Sequence, residues 1–317
     1  MMAASASRHL LDRLPPLRGR VQADAVLGPT TWFRVGGAAE VLVRPADVDD
    51  VRAFMANLPL DVSVFPIGAA SNLIVRDGGV HGVVLKLARG FSGIAIEADG
   101  VIVGAGALDV TVAEHAAAAG LAGLAFLSGI PGSIGGAVAM NAGAYGGDIA
   151  GCLDWADIVT RDGALQRLSN AQLGFAYRHG RLPPESVVVR ARLRARAGER
   201  TRIEEEMAAI RSAREASQPV RARTGGSTFR NPPDMKAWEL IDGAGCRGLM
   251  RGGAQVSEKH TNFLINTGTA TAADIEGLGE EVRRRVMASS GIDLHWEIRR
   301  VGVPTRGGAG GRPEIVA

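Results

Sequence analysis

The sequence predicts an α+β protein built from more than one domain. Its 317 residues are 46% hydrophobic and 22% charged, enough chain and enough apolar side chain for two or three buried cores. Period-two apolar runs joined through Asp-Gly turns imply antiparallel hairpins, and capped apolar stripes of helical period lie between and after them. Glycine is abundant at 43 residues, and aromatic residues make up only 4%.

Taken in order, residues 9–14 read as a short helix that leads into a Pro-containing arm, so 1–24 is set apart as an N-terminal arm. Val41, Leu42 and Val43 form a strand. Asp47 then caps a helix whose Val48, Val51, Phe54 and Met55 share one face. Residues 62–67 are a strand that empties into a Gly-containing loop, and 82–87 are another. Residues 94–103 form a hairpin turning at Asp99-Gly100. Residues 109–119 form an Ala-rich helix stopped by Gly120. A second hairpin covers 157–168 with its turn at Asp162-Gly163, and 187–193 is an alternating strand. A boundary follows, giving a first domain of 25–198 in two subdomains and a second of 199–303. The second opens with a helix striped by Ile203, Met207, Ile210 and Ala213. A helix starts near Pro233, Phe263 to Ile265 form a strand, and Thr271 with Asp274 makes a capping box for a helix striped by Ile275, Leu278, Val282 and Val286. Gly291 ends that helix, 296–301 is a closing strand, and the Gly- and Pro-rich 304–317 reads as a disordered tail.

Composition excludes several classes. A net charge of +3, without a basic stripe interleaved with aromatics, argues against a nucleic-acid partner. The arginines between 211 and 223 read as a solvated helix face and loop, or as a patch facing an anionic ligand. Two cysteines provide neither a disulfide framework nor a metal spacing, and no run is apolar enough for a membrane span or a signal segment. A cytoplasmic protein without metal is the expectation.

The run 129–146 carries Gly129, Gly132, Gly135, Gly136, Gly143 and Gly146 among Ile, Val, Met and Tyr. Linkers are polar and Ser-rich, so this run reads instead as main chain lying close against a large flat or phosphorylated ligand. The segment 66–79 (PIGAASNLIVRDGG) places small residues, Ser71 and Asn72 after a strand, a turn in which backbone N–H groups can hold an anion such as a pyrophosphate. Ser227 follows Gly225-Gly226 with no His or Asp placed to make a hydrolase elbow, so it suits a proton donor better than a nucleophile. Lys259, His260 and Asn262 sit in a polar loop suited to phosphate or sugar hydroxyls, and Glu297 lies in the closing strand. The stretch 101–109 (VIVGAGALD) imitates a Rossmann start, but Asp109 stands where Gly or Ala is needed and its strand belongs to a hairpin.

Together, residues 31–37 (TWFRVGG), the loop 68–72, the run 129–146, Tyr177-Arg178, residues 226–232 (GSTFRNP), residues 260–263 (HTNF) and Glu297 with Gly302 match one family in order and spacing. Over about 25–303 the chain resembles the UDP-N-acetylenolpyruvoylglucosamine reductases, in their shorter type without a tyrosine-bearing insertion. That resemblance implies a vanillyl-alcohol-oxidase (PCMH-type) FAD-binding fold of two subdomains and a C-terminal α+β substrate domain. It implies noncovalent FAD, NADPH as hydride donor and a UDP-sugar substrate. Carried over residue by residue, Gly68, Ala69, Ala70, Ser71, Asn72 and Leu73 hold the FAD pyrophosphate. Gly129, Ile130, Pro131, Gly132, Ser133, Gly136, Ala137, Asn141, Gly143 and Ala144 line the rest of the cofactor. Arg178, Ser227 and Glu297 are catalytic, with Ser227 the proton donor. Tyr177, Asn231, Lys236, Lys259, His260 and Asn262 are the substrate candidates. Three departures from the family stand out. Ala70 replaces a residue suited to positive φ, Thr228 and Arg230 replace Val and Lys, and Ala125 replaces an acidic residue. Two other readings remain, a flavin oxidase of the same fold and a nucleotide-sugar sensor. The set Arg178, Ser227 and Glu297 disfavours both, because an oxidase needs a base and a sensor needs no proton donor.

Overall fold

The computed structural model describes residues 9–305. Its first sheet has the order Arg20–Val26, Ala38–Arg44, Val80–Lys86, Val64–Ile67. The outer pair is antiparallel, and the other three strands run parallel. Alternation sorts the side chains: Val41, Val43, Val83 and Leu85 pack against Val51, Phe54 and Met55 of the helix Val48–Asn57. Asp47 caps that helix by accepting from the Asp50 N–H.

The second sheet is antiparallel throughout, in the order Leu165–Ser169, Leu153–Val159, Val187–Arg194, Gly100–Gly104, Ile94–Glu97. The strand Gly100–Gly104 therefore has antiparallel neighbours on both sides, which rules out the parallel β-α-β unit that a Rossmann site requires. Its hairpin pairs Glu97 with Gly100, so the turn falls at Ala98-Asp99, one residue earlier than the Asp-Gly signal suggests. A third unit joins the strands Met250–Arg251, Ala254–Val256 and Leu264–Asn266 to the helix Ala272–Ser290. That helix has both halves of its Thr271/Asp274 capping box and a left-handed Gly291 at its end, and it buries Ile275, Leu278, Val282 and Val286.

Four expectations need correction. The strand Arg20–Val26 begins inside the proposed arm, and its ladder with Ala38–Arg44 makes residues 20–24 part of the edge of the first sheet. The helix Arg200–Ser217 belongs to the second sheet's core and not to the C-terminal unit, because Ile203, Met207 and Ile210 bury against Leu124 and Leu127 there. The helix expected near Pro233 begins at Ala237. Asp234 adopts φ +57° after a turn from Pro232, a conformation no helix start accepts. In the closing run only Arg299–Val301 forms a ladder, while Trp296 makes an isolated bridge to Phe229. The proposed tail lies outside the described residues from 306 onward. Among the described residues no helix is long and apolar enough to cross a membrane.

Asp109, the first residue of the helix Asp109–Ala118, is fully buried with neither carboxylate oxygen hydrogen-bonded. Burial alone pushes its pKa well above the ordinary carboxylate value. A raised folded-state pKa stabilises the fold below the unfolded value and loses that contribution as pH rises through the folded one. Melting temperature measured from pH 5 to 9 should thus decline for the native chain relative to Asp109→Asn, which carries no ionisable group. Parallel curves would show that Asp109 does not titrate in the fold.

Candidate active site

Gly129–Gly146 does not act as one wrapped segment. Ile134–Met140 is a helix, because Ile134, Ala137 and Val138 at helical spacing bury together in the second core. Ala137 is 2% exposed and so faces the core, not a ligand. Gly129 is also buried, and a side chain there would strike Tyr145 and Ile210. Its lack of a Cβ accommodates protein. Asn141 ends the helix in a left-handed conformation and is 5% exposed. Its amide donates to Ala176 O at 3.1 Å and to Asp148 Oδ2 at 3.3 Å, and it accepts from the Ala150 N–H at 2.9 Å. The sequence assigned Asn141 to the cofactor, but its side chain instead anchors the segment that presents Tyr177 and Arg178. Ile130, Pro131, Gly132, Gly143 and Ala144 are half-buried and Gly136 is exposed, so these six remain available to a ligand.

The loop 68–72 fits a phosphorylated cofactor. A Cβ on Gly68 would lie 2.2 Å from Ser133 Oγ and displace that hydroxyl, which accepts from the Ala69 N–H at 3.2 Å. Ala70 adopts φ +54°, the strained geometry that its departure from glycine implied. Trp32 N–H bonds its carbonyl at 3.3 Å and fixes the turn. Among the described residues no hydrogen bond uses the N–H of Ala70 or Ser71, leaving two donors free for an anion. Beside them, the open space above Gly136 leaves room for a ligand.

Tyr177 and Arg178 form the tip of a two-residue turn closed by Ala176 and His179, with Arg178 at φ +55°. Its guanidinium meets Glu297, Nε to Oε1 at 2.7 Å. Burial raises the Glu297 carboxyl above its ordinary range, and the nearby Arg178 and Arg230 only partly offset this. The Glu297 N–H donates to Thr228 O at 2.8 Å, which brings Ser227 alongside, and Ser227 itself bridges to Phe263. The three expected catalytic residues therefore converge from a turn, an irregular strand and the closing segment.

Asn72 links the loop 68–72 to this group. Its side-chain amide donates to Glu297 O at 3.1 Å, and its backbone carbonyl accepts from the Arg299 N–H at 3.1 Å.

The expected substrate residues divide. Tyr177, Asn231, Arg230 and His295 line a cavity of about 740 Å³ beside the Arg178 turn. Asn231 also accepts from the Ala237 N–H at 3.0 Å, capping the helix Ala237–Gly243. Lys236 and Lys259 are exposed. His260 is half-buried between Trp238 and Phe263, and burial lowers its pKa, so it is a neutral imidazole at pH 7, not a cationic phosphate donor. Asn262 is 3% exposed with both ends of its amide bonded to Phe229. It straightens the Ser227–Phe229 segment and presents nothing to a ligand. The sequence reading missed Arg230 and His295. Arg230 was visible only as a departure from Lys, and His295 lacked any motif.

Asn72→Ala should lower kcat about 10- to 100-fold, because Glu297 loses its anchor. The half-saturating FAD concentration should change little, since the free loop N–H groups remain. Equal losses in both would mean that Asn72 serves the loop alone.

Residues 218–301 match the family described as UDP-N-acetylenolpyruvoylglucosamine reductase, C-terminal domain, and residues 39–169 match an FAD binding domain. The UDP-N-acetylenolpyruvoylglucosamine reductase of Acidiphilium cryptum (strain JF-5) is 65% identical over 309 residues, covering 98% of this chain and 100% of that protein. That of Gluconobacter oxydans (strain 621H) is 61% identical over 291 residues, covering 92% and 95%. The crystal structure of UDP-N-acetylenolpyruvylglucosamine reductase from Thermus caldophilus superimposes with a TM-score of 0.78 at 35% identity, covering 90% of this chain and 100% of that one. With an FAD binding domain, the family's C-terminal domain and near-complete coverage by such relatives, the chain belongs to the UDP-N-acetylenolpyruvoylglucosamine reductase family.

Proposed function

We propose that the protein reduces the enolpyruvyl ether of UDP-N-acetylglucosamine enolpyruvate to UDP-N-acetylmuramate, a peptidoglycan precursor, with NADPH as the electron source. The observation that carries this reading is the part-buried Arg178–Glu297 contact of 2.7 Å beside the Ser227 segment. FAD, which the loop 68–72 and the space above Gly136 would hold, would, once reduced by NADPH, supply the hydride for the terminal methylene carbon of the enol ether.

The protein's own groups handle the charge and the proton. As the methylene carbon gains hydride, negative charge develops at the neighbouring carbon and spreads into its carboxylate. Arg178, held by its turn, is a preformed cation for that charge. Glu297 helps only while protonated, because a carboxylate would repel the same charge, and its burial favours the neutral form. Ser227 donates a proton to the carbon next to the carboxylate, so hydride and proton together saturate the double bond. A hydroxyl is a weak acid in water, so the developing carbanion must sit within hydrogen-bond reach of Ser227. Tyr177, Asn231 and the cavity they border offer a seat for the nucleotide sugar.

Anaerobic stopped-flow absorbance tests the assignment. Reduction by NADPH should be unaffected in Ser227→Ala, while reoxidation by the enolpyruvyl substrate should slow by about 10² to 10⁴-fold. Reoxidation by oxygen alone would favour an oxidase instead.

The rate of substrate-driven reoxidation should fall as pH rises through the elevated Glu297 pKa. Arg178→Gln removes a cation that holds this pKa down, so besides slowing the step it should move the falling limb to higher pH. A limb that stays in place would assign the titration to another group.

A further inference from the structure

Parallel strands of an open sheet offer ligands their carboxyl ends, and in the first sheet those ends are cationic. The registers Leu42↔Val84 and Phe65↔Val84 put these three residues on one face, and two residues further along the same face come Arg44, Lys86 and Ile67. Leu42, Ile67 and Val84 pack here against Ala70, Leu73 and Val75, so this is the face over which the loop 68–72 folds. Arg299 reaches the same place from the closing segment. It is paired in register with Leu73, and its guanidinium carbon lies 6.0 Å from the Phe65 ring.

None of Arg44, Lys86 and Arg299 has a carboxylate within 4.0 Å among the described residues. Most other arginines of the sheets are paired. Arg192, for instance, meets Glu97, Asp99 and Asp154. Lys86 is half-buried, and burial together with Arg44 pushes its pKa down. Arg299 touches solvent, yet the surrounding protein lowers its pKa as well. Like charges left unpaired in a partly desolvated edge are unfavourable, and a bound anion would relieve them. The free N–H groups of Ala70 and Ser71 lie at this same edge.

We propose that Lys86, flanked by Arg44 and Arg299, completes the seat for the FAD diphosphate, with Lys86 as the residue that selects phosphorylated over unphosphorylated flavin. This rests on the reading that the loop 68–72 holds that diphosphate. Lys86 supplies a point charge on a flexible stem beside Arg44, and Arg299 adds a further cation near Phe65 on the same face.

The test uses apoprotein stripped of flavin and compares the Kd of FAD with that of riboflavin, which has the same ring system and no phosphate, by quenching of flavin fluorescence. Lys86→Met, similar in volume, should weaken FAD about tenfold, leave riboflavin within about twofold and flatten the salt dependence of FAD binding. Lys86→Arg should restore the preference. An unchanged Kd for both flavins in Lys86→Met, or an equal loss for both, overturns the proposal. Ser71→Asp separates the two layers of the argument. If it penalises FAD over riboflavin while Lys86→Met does not, the loop reading stands and the cationic seat fails. If neither variant discriminates, the loop reading fails with it. Far-ultraviolet circular dichroism confirms that each variant is folded.

Discussion

A three-residue parallel ladder, Arg299–Val301 against Leu73–Val75, is the contact on which the reactive geometry depends. It returns the end of the C-terminal unit to the first domain directly beside the loop 68–72. Asn72 extends the same connection by bonding Glu297 O and accepting from Arg299 N–H. The interface is reinforced nearby, where Arg76 forks onto Glu276 and Asp77 accepts from Ala272 and Ala273 N–H at the start of the helix Ala272–Ser290. The Arg76–Glu276 pair is largely shielded from water, so it is screened less than the exposed ion pairs elsewhere on the chain. A displacement of the C-terminal unit would move Glu297 and Ser227 together relative to Arg178 and the loop 68–72.

Backbone strain collects at the same place. Ala70, Asn141 and Arg178 all occupy the left-handed region without being glycine, at a cost of roughly 1 kcal/mol or more each. Each is held by neighbours whose geometry is fixed independently. Trp32 bonds the Ala70 carbonyl, the helix Ile134–Met140 terminates on Asn141, and Ala176 with His179 closes the Arg178 turn. Asn141 joins two of these points, since its amide also bonds Ala176 O. Such a framework leaves Arg178 little freedom, which is what an electrostatic stabiliser of a developing charge needs.

Charge is distributed unevenly over the first domain. On the second sheet, Asp157 takes both Arg167 and Arg190, and Trp155 stacks beneath Arg167 at 3.5 Å. Asp157 itself is buried, while its two arginines are about half exposed, so two cations share and offset one desolvated carboxylate. The carboxyl edge of the first sheet and the Glu297 pocket are different, because there burial is the dominant influence and shifts the ionisation of the group against its charged form. Perturbed ionisation thus concentrates where pairing is incomplete and water is partly excluded.

The sequence by itself determined those features that local chemistry decides. Asp47, the Thr271/Asp274 box and Gly291 marked helix ends correctly because caps bond to backbone within a turn or so of themselves. The stripe from Ile275 to Val286 and the alternation from Val187 onward were legible because periodicity reports which face is buried. Arg178, Ser227 and Glu297 were recognised through the order and spacing of motifs, while their approach to one another was decided only by chain segments distant in sequence. Tertiary packing alone assigned the helix Arg200–Ser217 to the second core, since its stripe could have faced either unit. It alone turned Asn141 and Asn262 from candidate ligand donors into structural ties, because an amide's partners are set by whichever backbone groups the fold brings near it. It also gathered Arg44, Lys86 and Arg299, for strand register and face govern that neighbourhood and no local spacing encodes it.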